Sequence, residues 1–473
     1  MANKKYKLTD GNYWATDGVY DFDQTKTQRE INSDLNTAIN NIMLVSTGDT
    51  TDRLADINAA LANGKCFLGE GDFYISDTIV LPNKSSIIGC GNNSRIKVIS
   101  SPINGNAIIS LGQENSIANV RLDGSRSPQN ATSGGLHGIK FVGTASQGTS
   151  AYSMPYHGII SNVIIENCSG SGIYCDDTGN NYLNSIQVSD ALIQACSVGI
   201  NINGNSEFHK FINVTAYVCY YGCINNGGNN TFISCDFSGS GEKGFVIDNT
   251  DNDKPNIGHG ACIGCLFNHI KSNTGDGITL INVTNGFIFA DCECFYGNIV
   301  INNCTGMKFL GNNASAITIT ITNGGATLFD DCSFADTPTL SITNNANVIL
   351  SNCINRTTGK TVAKIGTFTP ATAVNQILDS SVLQNGKTVT IFASLKMNTL
   401  TADVSIDIAT ITGVDIPSLP IRTVAWGGQY QYATFFASYC VLNNSDGKLK
   451  IIVPADYAGV TTYLNVLITY TVT

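Results

Sequence analysis

The chain has 473 residues, of which 13% are charged, and carries a formal net charge of −10. Its 47 glycines and low charge density belong to a turn-dense β protein and argue against a helical enzyme. Lys and Arg are scattered, which argues against a nucleic-acid partner or membrane insertion, since anionic partners require clustered cations.

Residues 1–49 read as a leader. Within QREINSDLNTAINNIMLV, Ile31, Leu35, Ala38, Ile42 and Val45 recur at spacings of 4, 3, 4 and 3, the rhythm of a coiled-coil seam. Two heptads need further support, so the segment is either part of a trimeric stalk or a cap helix folded on its own chain. The first residues lack the apolar core of a secretory signal, and no run is apolar enough to span a membrane, so the expectation is a soluble product without a secretory signal. TTDRLADINAAL follows as a helix with Leu54, Ile57 and Leu61 on one face and Thr51 or Asp52 as its cap, placed to plug a solenoid end.

Residues 50–360 repeat one phrase. It is seen in VIIENC168, ALIQAC196, TAYVC219, TFISC235, ACIGC265, FIFADC292, FLGN312, LFDDC332 and VILSNC353, whose last residues are spaced by 28, 23, 16, 30, 27, 20, 20 and 21. Alternation inside the phrase is a strand signature, and the Asn, Asp or Gly before the anchor residue marks a corner. Cys90 and Val120 are assigned to the same register. A second strand follows most copies, as in GIYC, GININ, GFVID and NIVIN. Such repeats bury apolar residues only by stacking, which predicts an all-β, right-handed parallel β-helix. Most of the 16 cysteines fall on inward positions and are read as buried free thiols. After residue 360 the register stops. KTVTIFASLKM, ADVSIDIATI, YATFFASYCVL and TTYLNVLITYTVT predict a C-terminal antiparallel β-sandwich over 361–473.

GKCFLGEGDFYISDTIVLPNKSSIIGCGNNSRI resembles the opening coils of the pectate-lyase-like β-helix superfamily. TDGVYDFDQTKTQREINSDLNTAI is similar to the start of phage and prophage tail-spike and tail-fibre proteins, and NGKTVTIFASLKM with LPIRTVAWGG to the sandwich domains that end many of them. The resemblance implies a homotrimeric component of a virion tail or tail-like appendage that joins other tail proteins and recognises, and in some cases depolymerises, a bacterial surface polysaccharide. It implies no cofactor and supplies no catalytic residue. A structural baseplate protein or adhesin, and a free-standing polysaccharide hydrolase or lyase, are the other readings.

Candidate site residues come from outward positions. The residue after each anchor reads Ser169, Ser197, Tyr220, Asp236, Leu266, Glu293, Asn313 and Ser333. Asp236 and Glu293 then lie two coils apart with backbones roughly 10 Å from each other, close to the separation used by a general acid and base in inverting glycosidases. Long insertions after Cys235, Ile247 and Cys265 form a lip with Glu242, Lys243, His269, Lys271 and Asp276, flanked by Tyr217 and Tyr220, a set suited to sugar hydroxyls and ring faces. A second insertion from Gly124 adds His137, Tyr152, Tyr156 and His157. Two constellations are weaker. His259, Cys262, Cys265 and His269 have zinc-like spacing, but both cysteines fall on inward positions, so no metal site is assigned. Asp176-Asp177 and Gly258-His259-Gly260 echo a polygalacturonase set but lie several coils apart. Of the second strands, the outward residues Tyr174, Asn201, Ile224, Val246, Thr279, Val300, Thr318 and Ser341 are expected to face a threefold axis.

Overall fold

The computed structural model describes residues 48–99, 106–126, 135–142, 158–176, most of 181–359, and strands near both termini; the predicted seam over 28–45 lies outside the described residues except at Met43–Leu44, which form a strand and not the end of a helix, and Tyr152, Tyr156, His157 and Asp177 also lie outside them. Short parallel strands wind through three sheets. The first holds 15 strands and runs from Met43–Leu44 to Val348–Ser351; the second holds 11, from Ile79–Leu81 to Thr339–Thr343. A third strip pairs Glu293–Phe295, Asn313–Ser315, Ser333–Phe334 and Ile354–Asn355, and single bridges extend it back through Leu266 and Asp236 to Thr215. Pairing between neighbouring coils is parallel throughout these sheets, so the fold is a parallel β-helix. The helix Leu54–Leu61 buries Ile57 and Leu61 against the first coil. Its end is tied by Asp52 Oδ1, which accepts the Leu54 N–H at 3.0 Å. After residue 363 the described strands form one continuous nine-stranded antiparallel sheet.

Each coil of the first sheet turns at a residue in the left-handed region. Asn162, Asp190, Asn213, Ser234, Asp291, Asp331 and Asn352 have φ between 50° and 54°, and Gly264 and Gly311 take the same place. Asn and Asp tolerate this conformation better than other side chains, which is why the anchor phrase carries them. The predicted single anchor line divides into two. Val163, Ala191 and Val214 are register partners, and the bridge from Thr215 to Asp236 sets Cys235 beside Val214. Cys168, Cys196 and Cys219 belong to a second corner five residues further along, led by Asn167, Ala195 and Val218. The 16-residue step from Cys219 to Cys235 is the point where the phrase passes from one corner to the other.

Cysteines at the first corner do more than fill space. Cys235, Cys265, Cys292, Cys332 and Cys353 direct their thiols at the carbonyls of Phe211, Phe232, Cys262, Phe309 and Phe329 on the preceding coil, at 3.3–3.5 Å. Asn312 takes over the same duty, donating from Nδ2 to the Phe289 carbonyl at 2.9 Å and accepting the Cys292 N–H at 2.7 Å. Of the described cysteines all are free and all but Cys90 are buried; Ser94, not Cys90, points inward there. Burial pushes the thiols of Cys66 and Cys294 up to about 12 and that of Cys304 to about 11.

The second sheet approaches the first closely. Gly138, Gly172, Gly199, Gly222, Gly244 and Gly277 start its strands; a Cβ on Gly199 would strike the Gly222 carbonyl and the Ala216 methyl. Among the outward residues of this sheet, Val300 pairs with Thr320, correcting the assignment to Thr318. Ile224 and Val246 form a small cluster with Val198 and are only 7% exposed within a single chain. Ile263 and Ile288, 40% and 36% exposed, lie on the outer face of the first sheet, whereas Val80, 64% exposed, heads the outward row of the second.

Candidate functional site

Asp236, Leu266 and Glu293 occupy one outward row on successive coils, joined by single bridges. Two strand spacings put the backbones of Asp236 and Glu293 about 10 Å apart, with Leu266 between them. Both carboxylates are half-buried. Asp236 Oδ1 is engaged by the Ser238 N–H at 2.9 Å, which turns the chain toward the lip. The row continues through Asn313 and Ser333, whose hydroxyl bonds the Asn313 side chain.

Two ion pairs build the lip. Lys271 Nζ lies 2.9 Å from Glu242 Oε2, and Lys243 Nζ lies 3.8 Å from Asp276 Oδ2, which also accepts the Thr279 hydroxyl at 3.2 Å. Because Glu242 and Lys243 are consecutive, the structure brings four of the predicted residues together. Backbone bonds fix them: the Glu242 N–H donates to the Tyr220 carbonyl at 2.8 Å, and the Lys271 N–H to the Ser240 carbonyl at 2.8 Å. Tyr220 packs over Gly241 and therefore belongs to the lip; it is not in the row of Asp236, as the single anchor line implied. His269 holds φ 54° and stacks its ring on Tyr296 at 5.0 Å, offering an exposed aromatic edge. Tyr217 is 50% exposed and lies over Gly239 at the near end of the lip.

Next to Tyr217, Val218 adopts φ 55°. A β-branched side chain in this region is strained by on the order of 1–3 kcal/mol, and such strain gathers at functional sites.

The polar constellations of lower rank separate in space. Cys262 and Cys265 are fully buried inside the coil while His269 sits on the surface, so these residues do not converge. Asp176 pairs with Lys140 at 2.9 Å on the second sheet, and His137 stacks on Tyr174 at 4.4 Å, where burial lowers its pKa to about 4. The interior cavity between Phe267 and Phe334 is lined by Phe, Ile and Cys side chains with Asn312, Asn313 and Ala314 at one edge, and belongs to the core.

One cluster gathers residues that no motif or repeat in the chain associates with each other. Asp72, Arg95, Lys97, Arg121, Asp123 and Glu166 meet on the outer face of the first coils. Arg95 grips Asp72 with Nε at 2.8 Å and Nη2 at 2.6 Å, and these hydrogen bonds hold the Asp72 carboxyl below the ordinary carboxylate range. Arg121 Nη2 lies 2.6 Å from Glu166 Oε1, and Gln194 Nε2 donates to Glu166 Oε2 at 2.8 Å. The signal that would have found it is register: Lys97, Asp123, Glu166, Gln194 and Tyr217 are successive partners in one row.

No family model matches this chain, and no curated protein matches it. Solved structures do. The A-module of the mannuronan C-5 epimerase of Azotobacter vinelandii is 14% identical, with 67% of this chain and 89% of that one covered at a TM-score of 0.48. The Dettilon tailspike protein is 12% identical, with 92% and 95% covered at 0.49. The tailspike protein gp49 of the Acinetobacter baumannii bacteriophage Fri1, a capsular polysaccharide depolymerase, is 12% identical, with 92% and 87% covered at 0.37. Several further matches are phage tailspikes.

Proposed function

We propose that this chain is a tail-spike-type receptor-binding protein that holds a bacterial surface polysaccharide against the outer face of its solenoid. The observation that carries the reading is the lip: two ion pairs, an exposed His269–Tyr296 stack and the exposed ring of Tyr217 stand beside a row with two carboxylates. Aromatic faces and fixed carboxylate and ammonium groups are the means by which a protein holds sugar rings and hydroxyls without burying them deeply. The similarity of residues 16–39 and of the last strands to tail-spike segments adds the setting, a homotrimer joined to other proteins of a virion tail.

The test is binding of the purified protein to a panel of capsular and O-antigen polysaccharides, with release of reducing ends and of unsaturated sugar followed in parallel. Binding that falls roughly tenfold in a Glu242→Gln, Lys271→Gln double variant supports the reading, since charge-assisted hydrogen bonds carry about that much. A protein that binds no polysaccharide defeats it. Cleavage lost in Asp236→Asn or Glu293→Gln would add depolymerisation at that pair; cleavage unchanged in both would remove the pair from the chemistry.

A further inference from the structure

The first coils present a row that differs in kind from the lip. Tyr74, Lys97, Asp123, Glu166, Gln194 and Tyr217 are consecutive register partners, a span of about 24 Å over five strand spacings. Arg95 and Arg121 stand in the adjacent outward row. In a chain only 13% charged, this concentration is itself unusual.

Depth separates the two signs. The side chains of Asp123 and Glu166 are 7% and 4% exposed, whereas those of Arg95, Lys97 and Arg121 are 27%, 30% and 34% exposed. Carboxylates form the floor and cations the rim. Asp72 is at rim height, but Arg95 occupies both its oxygens. A ligand approaching this face therefore meets positive charge although the cluster is balanced overall.

Donors remain free on that rim. Lys97 Nζ is 3.9 Å from Asp123 Oδ2, too far for a hydrogen bond, and 6.0 Å from the Tyr74 ring centroid. Arg121 engages Glu166 through Nε and Nη2, which leaves Nη1 without a partner among the described residues. Asp123 is fixed at the corner by the Ser125 N–H at 2.9 Å and Asn167 Nδ2 at 3.1 Å, which both donate to its Oδ1, while the part-exposed ion pairs of the rim add little stability of their own. What the arrangement does provide is a set of cations held in place before a ligand arrives.

We infer that this row is a subsite for a negatively charged sugar, whose carboxylate is taken by Lys97 and the open edge of Arg121 while its ring lies along Tyr74. The inference rests on the proposed polysaccharide function and narrows it to acidic polymers. Tyr217 ends the row and touches Gly239 of the lip, so one extended chain reaches both sites.

The experiment uses the full chain against acidic and neutral capsular polysaccharides at low and high salt, with Lys97→Gln and Lys97→Glu as variants. Lys97 makes no hydrogen bond in the fold, so Lys97→Gln is expected to keep the native thermal midpoint, whereas Lys97→Glu sets a second carboxylate opposite Asp123 and is read only where its circular dichroism shows the native fold. Expected are binding of acidic polymers only, weakening with salt, a loss of roughly tenfold in Lys97→Gln, and a larger loss in Lys97→Glu. Binding of a neutral polymer that depends on Glu242 and Lys271 but not on Lys97 would overturn this inference and leave the lip standing. An unchanged affinity for an acidic polymer in Lys97→Glu would overturn it too. Absence of binding to any polymer would end both.

Discussion

Coils before residue 226 and coils after it share a corner and little else. The earlier ones use continuous eight-residue strands, Ser116–Asp123, Ile159–Glu166, Gln187–Gln194 and Lys210–Tyr217, whose inward row reads Leu122, Ile165, Ile193 and Ala216. The later ones break at the corner into four residues and two or three, and fill the interior with Phe232, Phe289, Phe309 and Phe329 above the cysteine column. Ring stacking replaces aliphatic interdigitation: Phe309 lies 4.9 Å from Phe289 and 4.6 Å from Phe329. The outer faces diverge as well, with paired charges on the early coils and Ile263, Ile288 and the Asp236–Glu293 row on the late ones. A left-handed residue at one column fixes the path of the backbone, which leaves both core filler and surface chemistry free to change along the axis.

The largest expected break in this comparison is Phe289→Ala. Its ring touches Phe245, Phe267, Phe287 and Phe309, so truncation opens a cavity that stacked neighbours cannot close, with a loss of about 3–5 kcal/mol in chemical denaturation. Ile193→Val on the early coils should lose about 1 kcal/mol. A Phe289→Ala loss no larger than that of Ile193→Val would show that the neighbouring rings close the space.

Next in size is Asn312, the one polar residue in the late cysteine column. If the column serves to satisfy corner carbonyls, Asn312→Ala leaves the Phe289 carbonyl and the Cys292 N–H without partners and costs about 1–3 kcal/mol, whereas Asn312→Cys restores the neighbouring pattern and recovers part of it. If Asn312→Cys destabilises as much as Asn312→Ala, the thiols are fillers only.

Much of this was legible from the chain because corners are local. Asn162, Asp190, Asp291 and Asn352 advertise a left-handed turn by residue type, and counting from the corner placed Asp236 and Glu293 in one row. The two corners were not distinguishable, since Asn167-Cys168 and Asn352-Cys353 read alike and only stacking tells which column each joins. The charged row was hidden for the same reason: Arg121 and Glu166 are 45 residues apart, with an insertion between them that no period predicts. Glu242 and Lys271 were found together because both sit in insertions on adjacent coils, yet the pairing itself is a property of loop conformation.

The smallest effect concerns the join between the two regions. Val218 turns the chain between the exposed ring of Tyr217 and the last cysteine of the early column, and it does so at φ 55°, where Ala195 and Asn167 stand on the coils before. Asn is the side chain best suited to that angle, so Val218→Asn should raise stability by about 1 kcal/mol, read as a higher denaturation midpoint. Val218 is 52% exposed and its substitution removes no core contact, so relief of backbone strain is the main physical change. Should the midpoint rise while polysaccharide affinity falls, the strain is holding Tyr217 in place for its ligand. A midpoint that stays level or drops would mean that packing of the valine against its surroundings outweighs the backbone cost, and the turn would then be an ordinary corner.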